Sequence, residues 1–116
     1  MFIDETKVEK RRFRRVRFSE PVHYQLKETS RFGGCLSLDI SEGGMKINFD
    51  DFIPLNTEIA LQLKLTGIPR IIDLLGKVVW LQQVPFSERY HVGLRFEQSD
   101  HVSHEEIREY IRSYPA

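Results

Sequence analysis

Between Val22 and Glu97, apolar and polar residues alternate with a period of two, which is the pattern of β-strands that bury one face. Turns that contain Gly or Pro separate the segments at the spacing of a barrel or a sandwich. The pattern therefore predicts a mainly β domain of about six strands. The segments are residues 22–27, 35–41, 45–50, 58–65, 71–81 and 92–97.

Glycines mark the expected breaks in this pattern. Gly33-Gly34 predicts a turn before the second strand. Gly76 lies inside the long apolar segment and predicts a bulge or a sharp bend there. The run 42–44, Glu-Gly-Gly, predicts a tight reversal, because glycine reaches positive φ without a steric cost and also lets a ligand approach the backbone closely.

The second strand carries polar residues at its end. Leu36, Leu38 and Ile40 alternate with polar neighbours and are expected to share one apolar face. Asp39 and Ser41 then share the opposite face, two residues apart and pointing the same way. This face is a candidate for binding chemistry.

The period changes near the carboxyl end of the chain, where apolar residues recur at helical spacing. The stripe consists of Ile107, Tyr110 and Ile111. The preceding residues fit a capping box, with Ser103 as the N-cap and Glu106 reaching back to it. A short amphipathic helix is therefore expected at about 103–113, packed on the sheet or covering a barrel mouth.

The bulk composition is that of one soluble globular domain, with 116 residues, 41% hydrophobic and 29% charged. Residues 1–9 are expected to be a flexible lead-in, followed by a single domain over 10–116. No stretch has the roughly 18 apolar residues of a membrane span, and no signal peptide is recognisable. Cys35 is the only cysteine, so no internal disulfide forms and a cytoplasmic location is expected.

Positive charge is concentrated in a segment that we call the basic arm, residues 10–17, in which six of eight residues are Lys or Arg. The barrel is expected over about 18–98. Residues 1–17 carry a charge of +4 and the whole chain is neutral, so the remainder carries −4. A concentrated basic arm on an acidic body suggests a local anionic ligand rather than a nucleic-acid polymer, which would require a wider basic surface.

Two short motifs resemble those of the PilZ domain family, and the resemblance runs from about Lys10 to Tyr114. The first is Arg-x-x-x-Arg, with Arg11 and Arg15 at the paired positions. The second is Asp-x-Ser-x-x-Gly, with its three positions at Asp39, Ser41 and Gly44. The final strand and the helix after it are also similar to the end of that family's domain.

The resemblance implies a six-stranded antiparallel β-barrel with a short C-terminal α-helix that binds the bacterial second messenger cyclic di-GMP. It further implies a receptor without catalytic activity, metal or other cofactor, which signals to a downstream protein through a ligand-induced change of the basic arm. No membrane insertion is expected. The implied ligand-binding residues are Arg11, Arg12, Arg15, Asp39, Ser41, Gly43, Gly44 and Trp80.

The chemistry of these residue types fits such a ligand. The arginine fork donates two parallel hydrogen bonds to a phosphate or to the O6 and N7 of guanine, and its plane stacks on a base. Asp39 can accept the N–H groups of guanine's Watson–Crick edge, and the Ser41 hydroxyl can add a contact. Adenine lacks the O6 acceptor and the N1–H donor, so such a site would leave polar groups unpaired and reject it.

Simpler interpretations remain open at this stage. The basic arm alone fits a general polyanion-binding segment, and Asp39 and Ser41 alone fit a turn in which both side chains bond to the backbone. Trp80 fits the core as well as a platform for a base. For the whole chain, the alternatives are a PilZ-like protein adaptor that has lost the ligand and a small nucleic-acid-binding β-barrel.

Catalytic and metal sites are not supported by the sequence. His101 and His104 are three residues apart, but a helix that starts after Ser103 leaves His101 outside it, so a metal pair is rejected. Cys35 has no visible Cys-His-Asp arrangement around it. Phosphate-loop, dinucleotide-binding and nucleophile-elbow motifs are absent from the sequence, so no enzymatic activity is expected.

Overall fold

The computed structural model describes residues 14–97 and 100–115 of the chain. It contains seven β-strands followed by one C-terminal helix. In chain order these elements are β1 (Val16–Arg17), β2 (Pro21–Leu26), β3 (Phe32–Ile40), β4 (Gly44–Phe49), β5 (Glu58–Leu63), β6 (Ile72–Gln83), β7 (Tyr90–Phe96) and α1 (His101–Arg112). None of the described helical residues forms a segment long and apolar enough to cross a membrane.

Strands β2 to β7 form a closed antiparallel barrel. Each pairs with its neighbour in the order β3-β2-β5-β6-β7-β4, and pairing between β3 and β4 closes the ring. The additional strand β1 pairs with the end of β3, with Val16 opposite Ile40 and Arg17 opposite Asp39. The predicted six-stranded antiparallel barrel with a C-terminal helix is therefore confirmed, and the end of the basic arm adds a short strand to it.

The barrel encloses one apolar core, which α1 covers. Ile107 and Ile111 are 1% and 5% exposed, and Tyr110 packs edge-on against Phe18 with ring centroids 5.9 Å apart. The predicted helical stripe is thus correct, and burying each such side chain stabilises the fold by roughly 1.5–3 kcal/mol. The largest fully buried side chains are Phe18, Ile40, Met45, Ile47, Phe49, Ile53, Ile59, Leu61, Leu63, Leu65, Ile72 and Ile107.

Strand β3 changes its inward face part of the way along. Its pairing with β4 shifts register between Ser37 and Asp39, which leaves Leu38 as one extra residue. Before this bulge Leu36 points outward and is 43% exposed, while Ser37 is fully buried; after it, Ile40 is fully buried. The predicted common face of Leu36 and Ile40 is therefore wrong, because the bulge inverts the alternation.

The buried Ser37 hydroxyl is satisfied by the chain that leads from β1 into β2. Its oxygen accepts a hydrogen bond from the Glu20 backbone N–H at 3.1 Å, and its single O–H lies within reach of the Phe18 and Glu20 carbonyl oxygens, to either of which it can donate. A buried hydroxyl without partners would cost about 1–3 kcal/mol. These bonds therefore allow a serine to occupy an inward position and also attach the β1–β2 connection to β3.

Two predictions based on glycines, a turn at Gly33-Gly34 and a bulge at Gly76, were wrong. Gly33-Gly34 lies inside β3 rather than in a turn, and the preceding reversal ends at Ser30, which has φ 58°. Gly76 pairs in regular register with Ile59, whereas the bulge of β6 lies between Val78 and Trp80. A Cβ on Gly76 would lie 3.4 Å from a Leu61 methyl carbon, which is an ordinary van der Waals distance, so neither a bulge nor a steric clash explains this glycine.

Helix α1 begins earlier than predicted, at His101 rather than about 103. Its N-cap is Asp100, whose carboxylate accepts a hydrogen bond from the Ser103 N–H at 2.8 Å. This bond, followed by one from the Ser103 hydroxyl, lowers the pKa of Asp100. The predicted capping box is therefore wrong, and Glu106 instead forms an ion pair with Arg70. Asp100 is as good a capping residue as serine, so local pattern alone does not choose between them.

Gly44 is required by packing between β4 and β7 rather than by its own φ. Among the described residues, Gly67 is the glycine with positive φ, so the positive-φ role expected at 42–44 is not found. A Cβ on Gly44 would lie 2.0 Å from the Leu94 carbonyl oxygen, a backbone atom that cannot move aside. The tight reversal itself is present, because the Ser41 N–H donates to the Gly44 carbonyl at 2.8 Å.

We expect Gly44→Ala to lower the free energy of unfolding by about 2 kcal/mol, since the added methyl group must push β4 away from β7. The measurement is urea denaturation followed by circular dichroism. Gly34→Ala is the matched control, because its Cβ would meet nothing closer than the Val22 carbonyl oxygen at 3.9 Å. Equal stabilities of the two variants would contradict the packing explanation.

Candidate functional site

The two sequence motifs meet through one ion pair. Nη1 of Arg15 lies 2.7 Å from Oδ1 of Asp39, and the two side chains are 29% and 20% exposed. Strand pairing explains the contact, because Arg17 is opposite Asp39 and Arg15 precedes Arg17 by two residues. The buried Nε of Arg15 has no hydrogen-bond partner among residues 14–97 and 100–115. Asp39 therefore holds the guanidinium in place through Nη1, while the Nε–H is buried.

The rest of the basic arm is described only in part. Arg11, Arg12 and Phe13 lie outside the described residues. Val16, an apolar residue of the arm, is 4% exposed and packs into the core. Arg14 extends to the carboxyl end of α1, where its guanidinium donates to the backbone carbonyl oxygens of residues 111, 114 and 115 at 3.0–3.1 Å. Cations stabilise this end of a helix. Two consecutive arginines therefore bind different elements, Arg14 to the helix and Arg15 to β3.

A row of cross-strand partners runs across the outer surface of the barrel from Asp39. Asp39 is opposite Lys46 on β4, Lys46 is opposite Gly93 on β7, and Gly93 is opposite Trp80 on β6. Directly opposed residues of antiparallel strands project to the same face. We call these four residues, Asp39, Lys46, Gly93 and Trp80, the floor row. With the usual spacing between neighbouring strands, the backbones of Asp39 and Trp80 at the two ends of the row are about 14 Å apart across the sheet.

Trp80 lies flat on this surface. It is half-buried, and a Cβ built on Gly93 would lie 2.2 Å from the indole Nε1, so the ring covers the glycine. The bulge between Val78 and Trp80 turns the indole outward, while Val78 itself is fully buried. Trp80 therefore lies outside the core and on the same face as Asp39, while its role as a platform for a base stays a prediction.

Ser41 and Gly43 form the turn after β3. The Ser41 side chain is 3% exposed, and its hydroxyl donates to the Gly44 carbonyl and accepts from the Gly43 N–H, each at 3.3 Å. Ser41 therefore supports the turn, as the simpler interpretation of this motif expects. A direct contact between its hydroxyl and a ligand stays a prediction, as do ligand contacts of Gly43 and Gly44.

Sequence reasoning missed the link between this turn and the helix. Glu42 Oε1 lies 3.0 Å from Nε of Arg108 and 3.5 Å from Nε2 of His104, and Arg108 also pairs with Glu105. The contacts with Glu42 and Glu105 raise the pKa of Arg108. Glu42 and Arg108 are 66 residues apart in sequence, so no local pattern indicates their contact. The turn and the arm are thus both attached to α1.

Cys35 and His104 are the other residues that the sequence analysis considered for chemistry. Burial raises the pKa of the Cys35 thiol to about 12, so this thiol is protonated at neutral pH and is a poor nucleophile. Within the described ranges, no three His, Cys, Asp or Glu residues are grouped so as to hold a metal ion. His104 contacts Glu42 and Arg108 instead.

Comparison with known protein families identifies the domain. The PilZ domain profile matches residues 9–113, which is nearly the whole chain. The chain belongs to the PilZ domain family. A search of curated proteins by sequence found no match.

Solved structures with a similar fold include an isolated PilZ domain and a longer chain. The PilZ domain of YcgR from Escherichia coli, solved with c-di-GMP, has a TM-score of 0.67 at 16% identity and covers 90% of each chain. The Bacillus subtilis inhibitor of motility, MotI/DgrA, has a TM-score of 0.74 at 20% identity over 86% of this chain. The present chain therefore spans about half of that protein, since the match covers 48% of its length. At these identities the likeness establishes the fold.

We expect Gly93→Ala to displace the Trp80 indole, because the new methyl group would occupy the space now filled by the ring. Trp80 is the only tryptophan, so its emission spectrum reports on this site directly. The spectrum should shift to longer wavelength as the ring becomes more exposed to water. Gly34→Ala serves as the control and should leave the emission unchanged. An unchanged spectrum in Gly93→Ala would show that the ring does not depend on this glycine.

Proposed function

We propose that this PilZ domain is a non-catalytic receptor for cyclic di-GMP. The observation that carries the proposal is the Arg15–Asp39 ion pair, which joins the two family motifs at one end of the floor row. The compact dianion would bind between the basic arm and this row. The proposed ligand-binding residues are Arg11, Arg12, Arg15, Asp39, Ser41, Gly43, Gly44 and Trp80.

The arginines supply phosphate recognition. The Arg15 side chain is 29% exposed and its Nη1 is the atom that binds Asp39, so its Nη2 could donate to a phosphate oxygen. Arg11 and Arg12 precede it on the arm and would approach the same ligand from above the barrel. Lysine would supply charge but not the two parallel donors of a guanidinium.

Asp39 and Trp80 supply guanine recognition. The Asp39 carboxylate is 20% exposed, so it can accept the N1–H and N2–H donors of a base without rearrangement of the barrel. The indole of Trp80 lies flat on the same face and offers a stacking surface. Adenine has no N1–H donor, so an adenine ring at Asp39 would leave this acceptor unpaired, and cyclic di-AMP should be rejected.

The known relatives support the same ligand and suggest the type of process. A PilZ domain of very similar length has been solved with c-di-GMP, and another relative is named as an inhibitor of motility. We infer a cytoplasmic bacterial signalling role, in motility or a related surface behaviour, because cyclic di-GMP is an intracellular messenger of bacteria. The downstream target would be a protein.

Signal output would begin at the basic arm and reach helix α1. Arg14 donates to the carboxyl end of α1 and is adjacent to Arg15 in the chain. A ligand that repositions Arg15 would therefore also displace Arg14 from the helix. Glu42 holds Arg108 near the middle of the same helix. Ligand binding at the turn and the arm would therefore change the surface that α1 presents to a partner.

Isothermal titration calorimetry tests the proposed ligand directly. Cyclic di-GMP should bind with a dissociation constant of about 1 µM or lower, roughly −8 kcal/mol, and cyclic di-AMP far more weakly. Equal affinity for both nucleotides would contradict recognition by Asp39. Binding of random RNA with strong salt dependence, and no binding of cyclic di-GMP, would favour the nucleic-acid alternative.

Two arginine variants, one inside and one outside the proposed site, form a matched pair for this titration. Arg15→Ala removes a charge-assisted contact on the order of 2 kcal/mol and should weaken cyclic di-GMP binding at least tenfold. Arg31→Ala removes an arginine that also pairs with a carboxylate, Asp51 at 2.9 Å, but outside the proposed site, and it should bind normally. Circular dichroism confirms that both variants fold. Wild-type affinity in Arg15→Ala would move the site elsewhere.

Hydrogen exchange tests the proposed output. Cyclic di-GMP should slow amide exchange across residues 8–18, because the arm then contacts the ligand, and should speed it at the carboxyl end of α1 once Arg14 leaves. Amides of β5 serve as the internal reference and should not change. Slower exchange in the arm without any change in α1 would show that the signal leaves through the arm alone.

A further inference from the structure

Lys46 occupies the centre of the floor row and has no role in the motifs considered so far. It projects from β4 between Asp39 on one side and Gly93 on the other. Its neighbours Met45 and Ile47 are buried in the core, which confirms that Lys46 faces outward, and its side chain is 33% exposed. Because Gly93 has no side chain, nothing on β7 at this level separates the ammonium group from the Trp80 indole.

The ammonium group of Lys46 is only loosely engaged. Its Nζ lies 3.6 Å from Oδ2 of Asp39, which is an ion-pair distance but too long for a good hydrogen bond. Arg15 contacts the other oxygen, Oδ1, at 2.7 Å. One carboxylate is thus shared by two cations, and the three groups carry a net charge of +1. An ammonium group has three N–H donors, so Asp39 leaves at least two of those of Lys46 for another acceptor.

A carboxylate at this position creates an electrostatic problem for the proposed ligand. Asp39 must stay ionised to accept guanine's N–H groups, yet a negative charge next to a dianion repels it. A second cation on the floor removes this conflict, because it offsets the carboxylate whether or not Arg15 turns toward the phosphate. Lys77, a cation on neighbouring β6, is less suited to this role, since it pairs with Glu97 at 3.3 Å.

We propose that Lys46 is a further ligand-binding residue, whose ammonium group contacts a phosphate of cyclic di-GMP from the barrel side while the arginines bind from the arm side. This inference rests on the proposed function. It adds a cation to the site that belongs to neither sequence motif. The ligand would then be held between the arm above and a charged floor below, with a guanine directed toward Trp80.

The test is calorimetric titration of cyclic di-GMP into three lysine variants of the full chain. Lys46→Met keeps the length of the side chain and removes its charge, and it should weaken binding about tenfold and flatten the dependence of affinity on salt. Lys46→Arg should bind within about twofold of the wild type, since it restores the charge. Lys64→Met, an exposed lysine beyond β5, is the matched control and should bind normally. Thermal melts establish that each variant is folded.

A second background separates a direct contact from an indirect one. If Lys46 only positions Asp39, then Lys46→Met should have no further effect on binding in an Asp39→Asn protein. If Lys46 contacts the phosphate, its loss should still weaken binding several-fold there, which is the expected result. Wild-type affinity in Lys46→Met, or a vanished effect in the Asp39→Asn background, would overturn the inference. Failure of the wild-type protein to bind cyclic di-GMP would instead reject the proposed function, and this inference with it.

Discussion

One extra residue in β3, Leu38, determines which side chains of that strand face outward from the barrel. Ahead of the bulge the inward positions include the buried Ser37; beyond it Ile40 fills the core and Asp39 faces outward. Without the bulge, the alternation that buries Ser37 would also bury Asp39, where an ionised carboxylate would cost several kcal/mol. The position of Asp39 opposite Lys46, and hence the floor row, depends on this single insertion.

A second bulge, on β6, completes the same surface from the other side. It lies between Val78 and Trp80, so that the core receives Val78 and the outer face receives the indole. Strands β4 and β7 lie between these two irregular strands and pair with each other in regular register. They contribute Lys46 and Gly93 to the floor row. Gly93 makes room for the ring, and Lys46 stands between the ring and the carboxylate. Bulges often redirect side chains beside functional sites, and here two of them act together.

Sequence pattern located the six barrel strands and the helix, but not β1, the first residue of the helix or the faces of β3. Period-two alternation located six strands and helical spacing located α1, because both signals are local. The inversion at Leu38 could not be read, since a bulge is defined by the partner strand and not by the bulged strand itself. The requirement for glycine at positions 44 and 93 could not be predicted from the sequence either. Each is required by an atom from a distant part of the chain, the Leu94 carbonyl and the Trp80 ring.

Motif spacing found Asp39 and Arg15, but it indicated neither the contact of Lys46 with Asp39 nor the contact of Glu42 with Arg108. The motif residues are separated by regular, local spacings that a sequence displays. Lys46 joins them only through the register of β3 with β4, and Glu42 joins α1 only through a contact that spans 66 residues. Both are charged residues on an outer face, where solvated side chains are the rule, so their type alone indicates nothing specific.

The contacts that hold the arm and the turn are weak individually, and this suits a switch. Arg15–Asp39, Lys46–Asp39 and Glu42–Arg108 are all partly exposed, and pairs of this kind contribute roughly 0–1 kcal/mol each. A ligand bound at about −8 kcal/mol can therefore replace any of them without threatening the barrel. The core side chains that stabilise the fold lie on the opposite side of the same strands. The proposed recognition surface and the stabilising core thus lie on separate faces of the strands, so the outer face can rearrange while the inner face stays packed.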